Sequence, residues 1–218
     1  MFDPQTLWSL PAPQASRIHE FIFHPAAYIH PQRLAAIWPG SADRLPADGR
    51  HDAALSAALM AEFDLSDGVD VDVYAPLHQA AMLSPSELQQ VAHAGEVLAL
   101  APHLRRIILR SELQVLAAQI SRDDWDLVFA STPSRLVEDD AQSPMGLTEL
   151  MRAFGRLGWQ LLDAAFTRLP DSVSRRACLK LPPLGDRLPP SRIPWALAIV
   201  EEACHKRLAR LTSSEVGA

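Results

Sequence analysis

Apolar side chains recur at helical spacing through most of the chain, and prolines punctuate the pattern. Leu55, Leu59 and Phe63 fall at i, i+4 and i+8, which predicts a helix over about 51–63 with one buried stripe. Ser84-Pro85-Ser86-Glu87 reads as a helix start, with Ser84 as cap, Pro85 in the first turn and Glu87 closing a capping box. That helix should reach about Leu100, and Pro102 should open another over about 103–120. On a wheel this second helix has two apolar faces. One holds Leu104, Ile107, Ile108 and Val115, the other Leu109, Leu113, Leu116 and Ile120. Two faces call for neighbours on both sides, so the pattern puts this helix at the centre.

Ser121 and Asp124 predict another capped start, for a short helix carrying Trp125, Leu127, Val128 and Phe129. The polar stretch 131–142 reads as a loop, and Ser143-Pro144 as the start of the longest helix, to about Leu169. Gly158 lies on that helix's apolar face, which predicts a close helix–helix approach. The segment 171–181 fits a helix or a strand, and Pro182, Pro183, Pro189 and Pro190 make a stiff connector. A last helix spans about 192–211, with Ile193, Leu197, Val200, Cys204, Leu208 and Leu211 as its stripe.

At the other end, Pro4, Pro11 and Pro13 predict an irregular start. In the acidic stretch 64–74, Val69, Val71 and Val73 alternate, which fits a short edge strand or a loop. The expected fold is mainly α, an irregular multi-helix bundle around a central helix, with one short strand pair left open. One domain is expected over 1–218: an irregular N-terminal lobe (1–50), a helical core (51–211) and a flexible tail (212–218).

Composition narrows the class. The chain has 218 residues, 48% of them apolar, which suffices for a core without disulfide or metal. A formal net charge of −6 argues against a nucleic-acid-binding domain. No apolar run approaches the ~20 residues that span a bilayer, and the first ten residues lack a signal-peptide pattern. The reading is a soluble cytoplasmic protein that meets a membrane only through partners. Cys178 and Cys204 read as reduced thiols. Of Trp8, Trp38, Trp125, Trp159 and Trp195, most are expected in the core, with Trp159 at a stripe edge.

The sequence carries little recognisable chemistry. His19-Glu20 and His24 miss the HExxH spacing by one residue, which turns the second histidine off the shared face. Asp64, Asp67, Asp70 and Asp72 do not follow the EF-hand order. Cys178 lies among Arg175, Arg176 and Lys180, cations able to lower a thiol pKa, but the sequence assigns it no histidine partner. No phosphate loop, nucleophile elbow or dinucleotide fingerprint is present. No catalytic residue, cofactor or metal is therefore expected. Arg105, Arg106 and Arg110 read as an ion-pairing or partner-facing cluster.

The segment Phe23-His24-Pro25-Ala26-Ala27-Tyr28-Ile29-His30 resembles the N-terminal signature of type III secretion sorting-platform adaptors, the SctK family (YscK/PscK-like). Ala53-Ala54-Leu55 through Glu62-Phe63-Asp64-Leu65, Gly95 to Leu116 and Cys204-His205-Lys206 follow in the same order. The resemblance implies a non-catalytic cytoplasmic adaptor of the injectisome. It implies two direct partners, the forkhead-associated-like cytoplasmic domain of the SctD-type inner-membrane ring protein and the SctQ-type pod protein. The ATPase complex is reached through them. Candidate contacts are Phe23, Pro25, Tyr28 and His30, the acidic Asp64, Asp67, Asp70 and Asp72, and Arg105, Arg106 and Arg110. Phe23, Pro25 and Tyr28 also fit a purely structural role, pinning the N-terminal lobe to the helices. The readings kept beside this one are an effector-binding secretion chaperone or regulator, and a thiol-dependent helical enzyme using Cys178.

Overall fold

The computed structural model describes residues 10–39, 53–107, 109–117, 119–130 and 145–215. The described chain is helical, with eleven α-helices and no strand among the described residues. In chain order these are α1 (Ala12–Phe23), α2 (Pro31–Ile37), α3 (Ala53–Glu62), α4 (Pro76–Met82), α5 (Pro85–Leu104) and α6 (Arg110–Leu116). They continue as α7 (Arg122–Ala130), α8 (Leu147–Ala153), α9 (Leu157–Phe166), α10 (Asp171–Leu179) and α11 (Ile193–Glu215). Short 3₁₀ turns occupy Pro25–Ala27 and Pro190–Arg192. The chain forms two compact units, one of residues 1–88 with 166–185, the other of 89–165 with 186–218.

Local chemistry sets several helix ends. At the start of α5, the Ser84 N–H donates to Glu87 Oε2 at 2.9 Å and the Glu87 N–H to Ser84 Oγ at 3.3 Å. At α7, the Ser121 N–H donates to Asp124 Oδ2 at 2.8 Å and the Asp124 N–H to Ser121 Oγ at 3.2 Å. Both are capping boxes at the serines the sequence marks. Pro11 precedes α1, and Pro13 sits in its first turn, where a missing N–H costs nothing. Pro11 and Pro13, expected to make an irregular start, thus begin a helix, and Pro4 lies outside the described residues.

Three helical expectations change. Pro102 lies inside the last turn of α5 and does not open a helix. The chain leaves helical geometry after Leu104 and resumes it at Arg110, so the expected central helix over 103–120 is not continuous. Leu109 and Val115, which the wheel would bury, stand 62% and 44% exposed. The centrally buried helix is α5, where every residue from Ala94 to Ala101 is buried. The expected longest helix, to Leu169, is two helices, broken at Gly155 with φ +82°, a left-handed conformation that favours glycine. The start expected at Ser143 and the loop over 131–142 lie outside the described residues. The ambiguous 171–181 segment is the helix α10, and α11 runs past Thr212 to Glu215.

The alternating valines at 69–73 are buried while the residues between them face solvent, but the segment pairs with no strand among the described residues. The four described tryptophans are half-buried, none of them in the core.

The first unit buries Ile18, Phe21, Leu34, Leu59, Leu65, Phe166 and Val173. Within it α10 packs on α4, and α3 on the Pro25–Ala27 turn. The second unit buries Leu88's successors on α5 with Leu116, Leu150, Leu161, Ala196 and Ala203. There α9 meets α5 at Gly158, where an added Cβ would sit 2.7 Å from the Ala92 carbonyl carbon. The close approach expected at Gly158 is present, and only hydrogen fits it.

Candidate interaction surfaces

The Phe23–His30 signature begins at the C-terminus of α1. Pro25 starts the 3₁₀ turn, which returns the chain so that Tyr28 faces Phe21. The Tyr28 hydroxyl donates to the Phe21 carbonyl at 2.9 Å, and the two rings stack at 5.8 Å. Burial raises the Tyr28 pKa above the usual tyrosine value, so the phenol stays protonated. Ala26 N–H donates to Ser56 Oγ of α3 at 3.3 Å, and His30 N–H to the Leu179 carbonyl of α10 at 2.8 Å. His30 Nδ1 accepts from Gln32 N–H and caps α2. Partial burial and the Arg33 charge lower the His30 pKa, which keeps that nitrogen able to accept. Pro25 and Tyr28 are therefore core, and the signature is sewn to α3 and α10. Phe23 is half-exposed beside His19, with ring centroids 5.1 Å apart.

Beneath this segment lie two buried cations. Lys180 Nζ donates to the Leu83 carbonyl at 2.7 Å and sits 4.9 Å and 4.8 Å from the Phe21 and Tyr28 ring centroids. The Arg176 guanidinium donates to the carbonyls of Ser172 at 2.8 Å and Ile22 at 3.5 Å, and to that of Leu65. Each cation is spent on main-chain carbonyls, which satisfies donors that would otherwise be costly to bury.

Arg176 thus fixes the start of the acidic segment at Leu65. Asp64, Asp67, Asp70 and Asp72 all point to solvent. Asp64 pairs with Arg175 at 3.3 Å. Asp72 Oδ1 accepts from the Tyr74 N–H at 2.9 Å, and its own N–H donates to His78 Nδ1 at 3.1 Å. Tyr74, 80% exposed, stands at the end of this segment. Arg175, Arg176 and Lys180, the cations around half-buried Cys178, are each committed to other partners. Burial pushes the Cys204 thiol up to about 12, which leaves it an inert core side chain.

In the second unit, Arg105 Nε donates to the Val128 carbonyl at 2.8 Å and so ties the end of α5 to the last turn of α7. Arg106 and Arg110 are exposed. The signature and the acidic segment share the first unit, whereas the arginines belong to the second.

The sequence reading passed over one cluster in the second unit. A cavity of about 570 Å³ has a floor of Ala94, Leu98, Ile120, Leu127 and Ala203 and a polar rim that includes His93 and Asp124. His93 Nε2 lies 3.1 Å from Asp124 Oδ2, and its Nδ1 lies 4.0 Å from Glu96 Oε2. The hydrogen bond to Asp124 raises the His93 pKa, burial opposes it, and the charges of Asp124 and Glu96 add to the rise. Burial pushes the Asp124 carboxyl up, but hydrogen bonds from His93 and Ser121 outweigh it and hold it at about 2. Glu96 is buried and held above the usual carboxylate range, despite N–H groups of Gly155, Gly158 and Arg156 that oppose the rise. Its Oε1 accepts from Gly158 N–H at 3.4 Å, so it caps α9. The Ser121–Asp124 box was visible in the sequence. The partnership with His93, 31 residues away, was not.

Among the described residues no three histidine, cysteine, aspartate or glutamate side chains converge as a metal site. No helix among them is long and apolar enough to cross a membrane.

The family model for Yop proteins translocation protein K, YscK, matches residues 16–215. The chain is 27% identical over 204 residues to the Yop proteins translocation protein K of Yersinia pseudotuberculosis serotype I (strain IP32953), covering 87% of this chain and 90% of the relative. Its counterpart from Yersinia enterocolitica is 27% identical over 198 residues, covering 84% and 88%. The cytoplasmic domain of the type III secretion sorting platform protein PscK from P. aeruginosa aligns over 87% of this chain and 93% of that chain, with TM-score 0.49 and 20% identity.

Proposed function

This chain belongs to the YscK family, and from that premise we propose that it is a non-catalytic cytoplasmic adaptor of the type III secretion injectisome. In this reading it joins the forkhead-associated-like cytoplasmic domain of the SctD-type ring protein to the SctQ-type pod protein, and the ATPase complex is engaged through them. The observation that carries the reading is the extent of the family match, which runs across residues 16–215 and so takes in every candidate segment. The use of the polar groups supports it. Arg176, Lys180, Arg105 and Glu96 all serve main-chain partners, as groups that hold a shape do. Contact is assigned to the exposed members of the candidate set, Phe23, the four aspartates, Arg106 and Arg110, together with half-buried His30. Pro25, Tyr28 and Arg105 hold those segments in place.

Co-purification tests the proposal. The full chain should retain both the cytoplasmic domain of the ring protein and the pod protein, and a ternary complex should form from purified components. Retention of an effector with neither apparatus protein would overturn the adaptor reading in favour of a chaperone.

A further inference from the structure

We propose that His93 is a proton-operated latch that fastens the N-terminal cap of α7 to α5 at the rim of the second unit's cavity. The geometry is unusual in that each ring nitrogen faces a carboxylate. Asp124 lies at 3.1 Å from Nε2, and Glu96 at 4.0 Å from Nδ1. A neutral imidazole has one N–H and serves one of them, turning a lone pair to the other. The imidazolium has two and serves both. The carboxylates come from different elements. Glu96 is on α5 itself, one turn after His93, and its other oxygen caps α9. Asp124 belongs to the Ser121 capping box, where Oδ2 also accepts from Ser121 N–H and Oγ, at 2.8 and 2.6 Å.

The remaining charged groups on the cavity lining are Asp123 of α7 and Lys206 of α11. Lys206 pairs with Glu202 at 2.9 Å. The His93 side chain is 40% exposed, so protons reach it without unfolding. When the ring loses its proton, the α7 cap keeps its Ser121 bonds but loses the charged tie to α5. The turn at Ile120 and the α7 residue Leu127, both part of the cavity floor, are then less firmly held. The latch stands whether or not the adaptor reading holds.

The test uses the full chain and reads amide hydrogen exchange over 119–130 at pH 5.5 and 8.0, corrected for intrinsic rates. The wild type should lose protection at Ser121 and Asp124 by roughly threefold or more at the higher pH. His93→Gln keeps one donor but cannot titrate, so its corrected protection should be the same at both values. Equal protection of the wild type at the two pH values would overturn the latch, as would an unchanged pH dependence in His93→Gln. If that variant fails to fold, the wild-type ring resonance decides. A His93 midpoint above the ordinary histidine value supports the latch, and one at or below it removes it.

Discussion

Lys180 is the side chain whose charge is least at home. Its ammonium is enclosed by the Phe21 and Tyr28 rings and has one main-chain acceptor. Burial brings its pKa down to about 7, against the pull of Glu20 and Glu87. The unfolded lysine titrates near 10.4, so between the two values the unfolded chain holds more protons and stability rises with pH. From pH 7 to 9 this contribution should grow by ~2 kcal/mol. His93, whose pKa is raised, pulls the other way over the same range, so the difference between proteins is the clean measure. The gap in denaturant midpoint between wild type and Lys180→Met should widen in favour of the wild type as pH rises. A constant gap would mean the lysine is not titrating there. Tyr28 belongs to the same cluster. Tyr28→Ala removes a buried ring and the donor to Phe21, and should destabilise by ~3–5 kcal/mol. Phe23→Ala, at a half-exposed ring, should change melting little and be felt only in partner binding.

At the scale of elements, what the sequence revealed was what is local. The two serine capping boxes carry both partners within four residues, and both form. The wheel over 103–120 failed because a wheel assumes the helix it is meant to find. Once the chain departs from helix after Leu104, the phase is lost, and Leu109 and Val115 come out exposed. Pro102 misled for a related reason. A proline suits a first turn, but in the last turn of α5 its missing N–H is outweighed by the burial of Ala94 to Ala101. The long stripe to Leu169 concealed the break at Gly155, since side-chain periodicity says little about one residue's φ. For the candidate surfaces the signature's place was legible, its burial was not, and the His93 cluster needed the fold to bring it together. The two glycines near that break separate cleanly by experiment. Gly155→Ala should cost ~1–2 kcal/mol for its left-handed backbone, with open space around the new methyl. Gly158→Ala gains helix propensity but drives a methyl into the Ala92 carbonyl, and should lose ~2 kcal/mol or more. A stabilised Gly158→Ala protein would mean that α5 and α9 do not approach as closely as described.

For the whole molecule, the question is whether one set of contacts or two does the joining. The chain carries a net −6, yet its exposed candidate charges divide by sign between the two units, aspartates in the first and Arg106 and Arg110 in the second. Charge at the rim of an interface mainly sets association rate and partner choice, so reversal should be read in kinetics as well as in affinity. The triple change Asp67→Lys, Asp70→Lys, Asp72→Lys leaves the hydrogen bonds to the Leu65 and Asp64 carbonyls in place but removes the Asp72 bond to the Tyr74 N–H, so its melting should be compared with the wild type before binding is read. Arg106→Glu with Arg110→Glu likewise leaves the Arg105–Val128 tie in place. If each unit meets a different partner, each variant should slow association with one of the ring domain and the pod protein several-fold at low salt and spare the other. The deficit should shrink as salt is added, because exposed charges are screened within about 8–10 Å at physiological ionic strength. Loss of the same partner in both variants would mean that both charged segments serve a single interface, and the second partner would then have to be sought on the apolar exposures at Leu109, Val115 and Phe129.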